Sequence, residues 1–226
     1  MNISIKLSLV FMILMNSKKI CAQTQIRAGF LPSINYNQKI DKIWEVNFKF
    51  ESRHFLFDNT SDQGSDFKYT YSLSDVSALV GRKVGLNSKV VLGILIRIEP
   101  DAIIHRTIQQ FIFQSKIANF RVAHRIATDQ TFSSNESTEF RLRYRLSAEI
   151  PLSGLKLDVK EFYFKFNTEA LNSIQDQYDL ELRLVPNIGY AINEQHKIEL
   201  GLDNRFGSLL STQKRFTSWI TINWFI

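Results

Sequence analysis

Between residues 139 and 150 the chain alternates without a break. Phe140, Leu142, Tyr144, Leu146, Ala148 and Ile150 take the even positions, and Glu139, Arg141, Arg143, Arg145, Ser147 and Glu149 the odd ones. A period of two is that of a β-strand, whose successive side chains point to opposite faces. Three arginines on one face cannot lie unpaired in an apolar core. The opposite face is too apolar for water. A strand with lipid outside and a polar, water-bearing lumen inside satisfies both faces.

The pattern recurs, broken every ten to fifteen residues or so by polar or turn-forming segments. Trp44, Val46, Phe48 and Phe50 alternate with Glu45, Asn47, Lys49 and Glu51, and the phase slips near residues 52–55, which predicts a bulge. Pro32 places the strand candidate 26–38 at an edge, a bulge or the barrel mouth. Residues 155–166 are expected to form one strand with a second bulge at Lys160 and Glu161. Residues 168–177 are expected to form the longest polar loop. The last strand ends at the C-terminus, where Ile220, Ile222, Trp224 and Ile226 alternate with Trp219, Thr221, Asn223 and Phe225.

These segments predict an all-β fold, a transmembrane antiparallel up-and-down β-barrel of 10–12 strands. The direct count is eleven. Single-chain bacterial barrels have even numbers, so either residues 26–38 fall short of a strand or residues 67–85 conceal a turn near Ser74 and Asp75. Short turns are expected to alternate with longer polar loops, the end-to-end asymmetry of outer-membrane barrels, and Tyr, Trp and Phe gather near strand ends as an interfacial girdle requires. A soluble sandwich or lipocalin-like barrel shares the periodicity with the faces exchanged, and periodicity alone does not tell inside from outside.

Composition narrows the picture. A chain of 226 residues, 44% hydrophobic and 22% charged, fits one domain and neither a helical membrane protein nor a disordered one. The apolar run 7–15 is too short to span a bilayer as a helix. Followed by Ile20-Cys21-Ala22, it reads as a signal peptide over residues 1–22, with the barrel domain at 23–226. Lipidation of Cys21 is the other reading, and it lacks the usual small residues before the cysteine. Loss of Lys6, Lys18 and Lys19 with the leader lowers the net charge from +6 to +3. The case for nucleic-acid binding weakens accordingly.

Residues 103–152 carry a more specific likeness. His105-Arg106 with Gln109-Gln110-Phe111, then Phe120-Arg121-Val122-Ala123-His124-Arg125, then Glu139 to Leu146 and Pro151-Leu152, resemble the domain of unknown function 2490 family of Bacteroidetes-type bacteria. The hairpins at 44–53 and 190–205 are similar to it as well. The resemblance implies an outer-membrane barrel and supplies no activity or catalytic residues.

Candidate site residues follow from the faces. If the apolar sets meet lipid, Arg97, Arg121, Arg125, Arg141, Arg143, Arg145, Arg183 and Arg205 point inward. So do Glu99, Asp129, Glu139, Glu149, Asp158, Glu181, Glu199 and Asp203. A lipid-facing arginine would cost about 2–4 kcal/mol at the midplane. The plain reading is a lattice of paired charges that stiffens a narrow lumen. The functional one is an arginine-lined path for small anionic solutes. Expected partners are outer-membrane lipid and, through the C-terminal strand, the barrel-assembly machinery. A soluble periplasmic ligand-binding barrel is a further alternative.

No catalytic, cofactor or metal signature is evident. Gly-x-Ser-x-Gly is absent, and Gly81-Arg82-Lys83-Val84-Gly85 lacks the spacing of a phosphate loop. His54, His105, His124 and His196 stand far apart, without metal-ligand spacing. Each histidine is expected to be an ordinary loop or interface residue. A lipid-modifying enzyme is the alternative class, because a strand-borne serine and histidine can meet in a sheet, where neighbours lie about 5 Å apart. His54 sits beside Ser52 near the polar loop 58–65, and His105 lies just after Pro100-Asp101.

Overall fold

A computed structural model describes residues 24–59, 66–117, 120–134 and 136–226. The segment expected to be a signal peptide, with Cys21 in it, and residues 60–65 lie outside the described residues. Eleven strands follow one another: β1 (Gln25–Lys39), β2 (Trp44–Asp58), β3 (Asp66–Lys83), β4 (Ser88–Glu99), β5 (Ala102–Ile117), β6 (Phe120–Phe132), β7 (Glu139–Pro151), β8 (Phe162–Ile174), β9 (Tyr178–Ala191), β10 (Lys197–Gly207) and β11 (Arg215–Phe225). Each pairs antiparallel with the next, and β1 pairs with β11 to close a barrel.

The closing pair is parallel, from Gln25↔Arg215 to Asn35↔Phe225. This resolves the parity conflict. The chain reverses at every strand, so the first and eleventh run the same way and the seam must be parallel. Both suspect strands, β1 and β3, are intact, and the even-number rule does not hold for this barrel. The main chain of Ile226 completes the seam, with its N–H donated to Asn35 O at 2.8 Å and its oxygen accepting from Asn37 N–H at 2.8 Å. On the other side of β1, the register with β2 runs from Phe30↔His54 to Ser33↔Glu51. Pro32 sits in that gap of the ladder, where its missing N–H is tolerated.

The predicted bulge near residues 52–55 is present. Registers shift at Arg53/His54 and Phe55/Phe57 against β3, and at Ala28/Gly29 against β2. The second expected bulge is not. Residues 152–161 form a connection, with Gly154 and Lys160 at φ +67° and +64°. Three apolar residues between two left-handed positions are too few to hold a strand. The expected polar loop is also corrected: Thr168 to Ile174 belong to β8, and the connection spans only residues 175–177. The end-to-end asymmetry of loop length then disappears. The longest connection, 152–161, lies at the same end as the four-residue turn 40–43, where the Trp44 and Ile43 N–H groups hold the Asp41 carboxyl below its ordinary range.

The faces are inside out relative to a soluble barrel. Apolar side chains such as Val80, Leu92, Ile94, Leu142, Leu200 and Ile222 are exposed on the outer wall. Exposed aromatics flank them at both ends: Trp44, Phe120, Phe162 and Trp224 at the end that holds the C-terminus, and Phe67, Phe132, Phe140 and Tyr178 at the other. The buried residues are mostly polar, among them Glu51, Asp75, Arg106, Asp129, Glu169 and Asp203.

Candidate functional site

The lumen is built by the odd-numbered positions of most strands. It encloses a cavity of about 860 Å³ to which all eleven strands contribute. Its lining runs from Asn35, Asn223 and Phe225 near the C-terminal end to Arg27, Glu99 and Arg215 near the other.

Two buried carboxylates organise one side of the wall. Asp129 on β6 is fully buried and Glu169 on β8 is 1% exposed. Asp129 accepts a hydrogen bond from Arg141, with Arg143 at 3.4 Å and Arg106 at 3.7 Å. Glu169 meets four arginines: Arg125 and Arg145 at 2.7 Å, Arg143 at 2.8 Å and Arg183 at 3.4 Å. Arg143 joins the two hubs. Burying a carboxylate costs several kcal/mol, repaid only when its lone pairs are filled with good geometry. Clustering cations around each acid meets that condition and fixes the rotamers of long side chains.

Smaller groups complete the ring. Glu51 binds Lys49 and Arg53 at 2.6 Å each, and Asp75 binds Arg97 at 2.8 Å. Arg205 pairs with Asp203 at 2.6 Å, and Arg183 with Glu181 at 2.6 Å. Glu199 accepts from Tyr163 Oη and Lys165 Nζ at 2.8 Å each. Tyr163 fits because its cross-strand partner is Gly189. A Cβ at Gly189 would lie 2.1 Å from the Tyr163 ring.

The cation count exceeds the pairing. Thirteen Arg and Lys line the cavity against six Asp and Glu, or eight when the hubs Asp129 and Glu169 behind them are included. Among the described residues, Arg125 Nε and Arg141 Nη2 are buried without a protein hydrogen-bond partner. The cavity therefore presents an excess of positive charge to whatever enters it.

The structure puts Arg97, Arg125, Arg141, Arg143, Arg145, Arg183, Arg205, Glu181 and Asp203 on the cavity wall. Arg121 and Glu149 are elsewhere. They pair with each other at 3.3 Å near the barrel rim, and the Arg121 side chain is 62% exposed. Asp158 lies exposed on the 152–161 connection instead of inward. Sequence reasoning missed the hub Glu169, hidden in the supposed loop, and the cluster of Lys49, Glu51, Arg53 and Asp75. The alternation along β2 already carried the signal for Lys49 and Glu51.

A different arrangement lies on the outer wall. Ser52 Oγ is 2.9 Å from His54 Nε2, and Tyr69 Oη is 2.8 Å from His54 Nδ1. Among the described residues, no group of three or more His, Cys, Asp or Glu side chains could hold a metal ion.

Fold and site together define a closed β-barrel with an apolar exterior and a basic, hydrogen-bonding lumen. Residues 28–216 match the family described as Protein of unknown function (DUF2490), and the chain belongs to that family. No curated protein and no solved structure matches it.

Proposed function

We propose that this protein is an outer-membrane β-barrel whose lumen binds small anions and lets them pass. The observation that carries the reading is the joint polarity of the two faces. The outer wall is a broad apolar belt between aromatic girdles, as a bilayer requires, while the cavity holds thirteen cations against six anions. An excess of fixed charge of one sign in a low-dielectric wall concentrates counter-ions. The hub lattice stiffens the β6–β9 side and keeps that charge in place.

An eleven-stranded barrel is narrower than the 16–18-stranded porins with open aqueous channels, so the path suits small solutes. The barrel is exported, and its C-terminal strand, which forms one side of the seam, is the segment the barrel-assembly machinery takes hold of. Reconstitution in planar bilayers tests the reading. A salt gradient is expected to give a reversal potential of anion-selective sign, and Arg145→Glu with Arg97→Glu to shift it toward cations. Absence of conductance, or cation selectivity in the unaltered protein, would overturn it.

A further inference from the structure

The second site lies on the opposite side of the wall from the lumen. Along β2 the outward positions run Trp44, Val46, Phe48 and Phe50, then change to Ser52 and His54. On the neighbouring strand pair, Tyr71 Oη donates to the main-chain oxygen of Ile98 at 3.0 Å, next to the 100–101 turn. The pair lies close to one barrel end, beside the exposed side chains of Leu56, Phe67 and Tyr69. In a bilayer, aromatic side chains at a barrel end mark the interface, the level of the phospholipid ester carbonyls.

The local geometry is that of an activated nucleophile. In the tautomer that carries its proton on Nδ1, His54 donates to Tyr69 Oη and turns the lone pair of Nε2 toward Ser52 Oγ–H. Ser74 Oγ lies 3.1 Å from Ser52 Oγ, and Tyr71 Oη lies 3.1 Å from Ser74 Oγ. Phe30 stacks on the imidazole at 4.8 Å between centroids. The register shift that aligns these residues sets Ser72 outside the ladder, since Arg53 faces Leu73 and His54 faces Tyr71. Bulges occur beside active sites, where they re-aim side chains. The barrel also contains a contrasting pair: His124 Nδ1 lies 2.8 Å from Tyr144 Oη on the outer wall.

We propose that Ser52 and His54 are the catalytic residues of an acyl-ester hydrolase site facing the lipid, with Tyr69 as a positioning residue. The site is independent of the lumen and rests on the membrane reading only for its substrate class, the glycerophospholipid ester. Ser52 Oγ attacks the ester carbonyl carbon and its proton passes to His54 Nε2. The carbon–oxygen bond to glycerol breaks, and the departing oxygen takes that proton from His54 and leaves as the lysophospholipid alcohol. Water then adds to the acyl carbon and gives a proton to His54. The acyl–Oγ bond breaks, Ser52 recovers its proton and the fatty acid departs. Ser52 is 8% exposed, so the surrounding rings must part for the acyl group to reach it.

The test uses the purified full-length barrel in detergent, with heat-dependent gel migration as the check of folding. An alkyl fluorophosphonate is expected to leave an adduct that mass spectrometry places on Ser52. Fatty acid is expected from mixed micelles of phosphatidylethanolamine. Ser52→Ala should abolish both signals, and His54→Gln should slow both about 10²- to 10⁴-fold. Tyr69→Phe should move the acid limb of the labelling pH profile, which a purely structural tyrosine would leave in place. His124→Ala should label like the unaltered protein. A folded, heat-shifted barrel with no adduct on Ser52, or Ser52→Ala still releasing fatty acid, would overturn the proposal. Turnover of soluble p-nitrophenyl butyrate without fatty acid release would overturn the lipid assignment. A chain that needs no detergent would instead count against the membrane reading, with the fate of the Ser52 adduct read separately.

Discussion

Glu169 holds four guanidinium groups in a site where it is itself almost fully buried. Glu149 holds one, Arg121, at the rim. The two acids should therefore differ sharply in worth. Removing one partner of a buried charged group costs about 3–5 kcal/mol, because the remaining charges are stranded. An exposed pair contributes about 0–1 kcal/mol. Glu169→Gln is expected to lower the urea midpoint of the barrel markedly, and Glu149→Gln to leave it nearly unchanged. Equal effects in the two variants would contradict the hub description. The arginines around Glu169 were legible in the sequence, because an arginine on a two-residue period with Leu and Phe between must face away from lipid. Glu169 itself was not. Its outward neighbours, Thr168, Ala170 and Asn172, are small or polar, so the contrast between faces fades and the segment looks like a loop.

Strand β8 shows both what pattern carries and where it fails. Its first half, Phe162, Phe164 and Phe166 against Tyr163, Lys165 and Asn167, alternates as a strand should. Its second half is held by pairing with β7 and β9 on both sides. That tertiary support outweighs weak local propensity. The reverse holds at 155–159, where short alternation lacks a partner on either side. Cross-strand fit also governs β8 and β9 at Tyr163 and Gly189. Gly189→Ala would drive a methyl into the tyrosine ring, and overpacking of this kind costs about 1–3 kcal/mol. The variant is expected to unfold at correspondingly lower urea, and the same change is expected to cost much less in a Tyr163→Ala background. An equal cost in both backgrounds would place the strain elsewhere. Nothing in the sequence marks this pairing, since it depends on a register that only the assembled sheet reveals.

At the scale of the whole molecule, eleven strands could be counted from the sequence, and the count was sound. What the sequence could not supply was the closure. The expectation of an even number assumes that first and last strands meet antiparallel, and the parallel seam between β1 and β11 removes that assumption. Which face points out was equally invisible to a period of two. The chain's three tryptophans offer a direct measurement of it. Trp44 and Trp224 are exposed on the outer wall at one end, while Trp219 is 3% exposed, tilted against Phe55 at 4.6 Å between ring centroids and turned to the lumen. Quenching of tryptophan emission by brominated phospholipids, in vesicles containing the folded barrel, reports which rings touch lipid. The inside-out barrel predicts strong quenching of the unaltered protein, with little left in a Trp44→Phe, Trp224→Phe variant that retains only Trp219. Strong quenching of Trp219 alone, or none in either protein, would contradict an apolar wall set in a bilayer around a polar lumen.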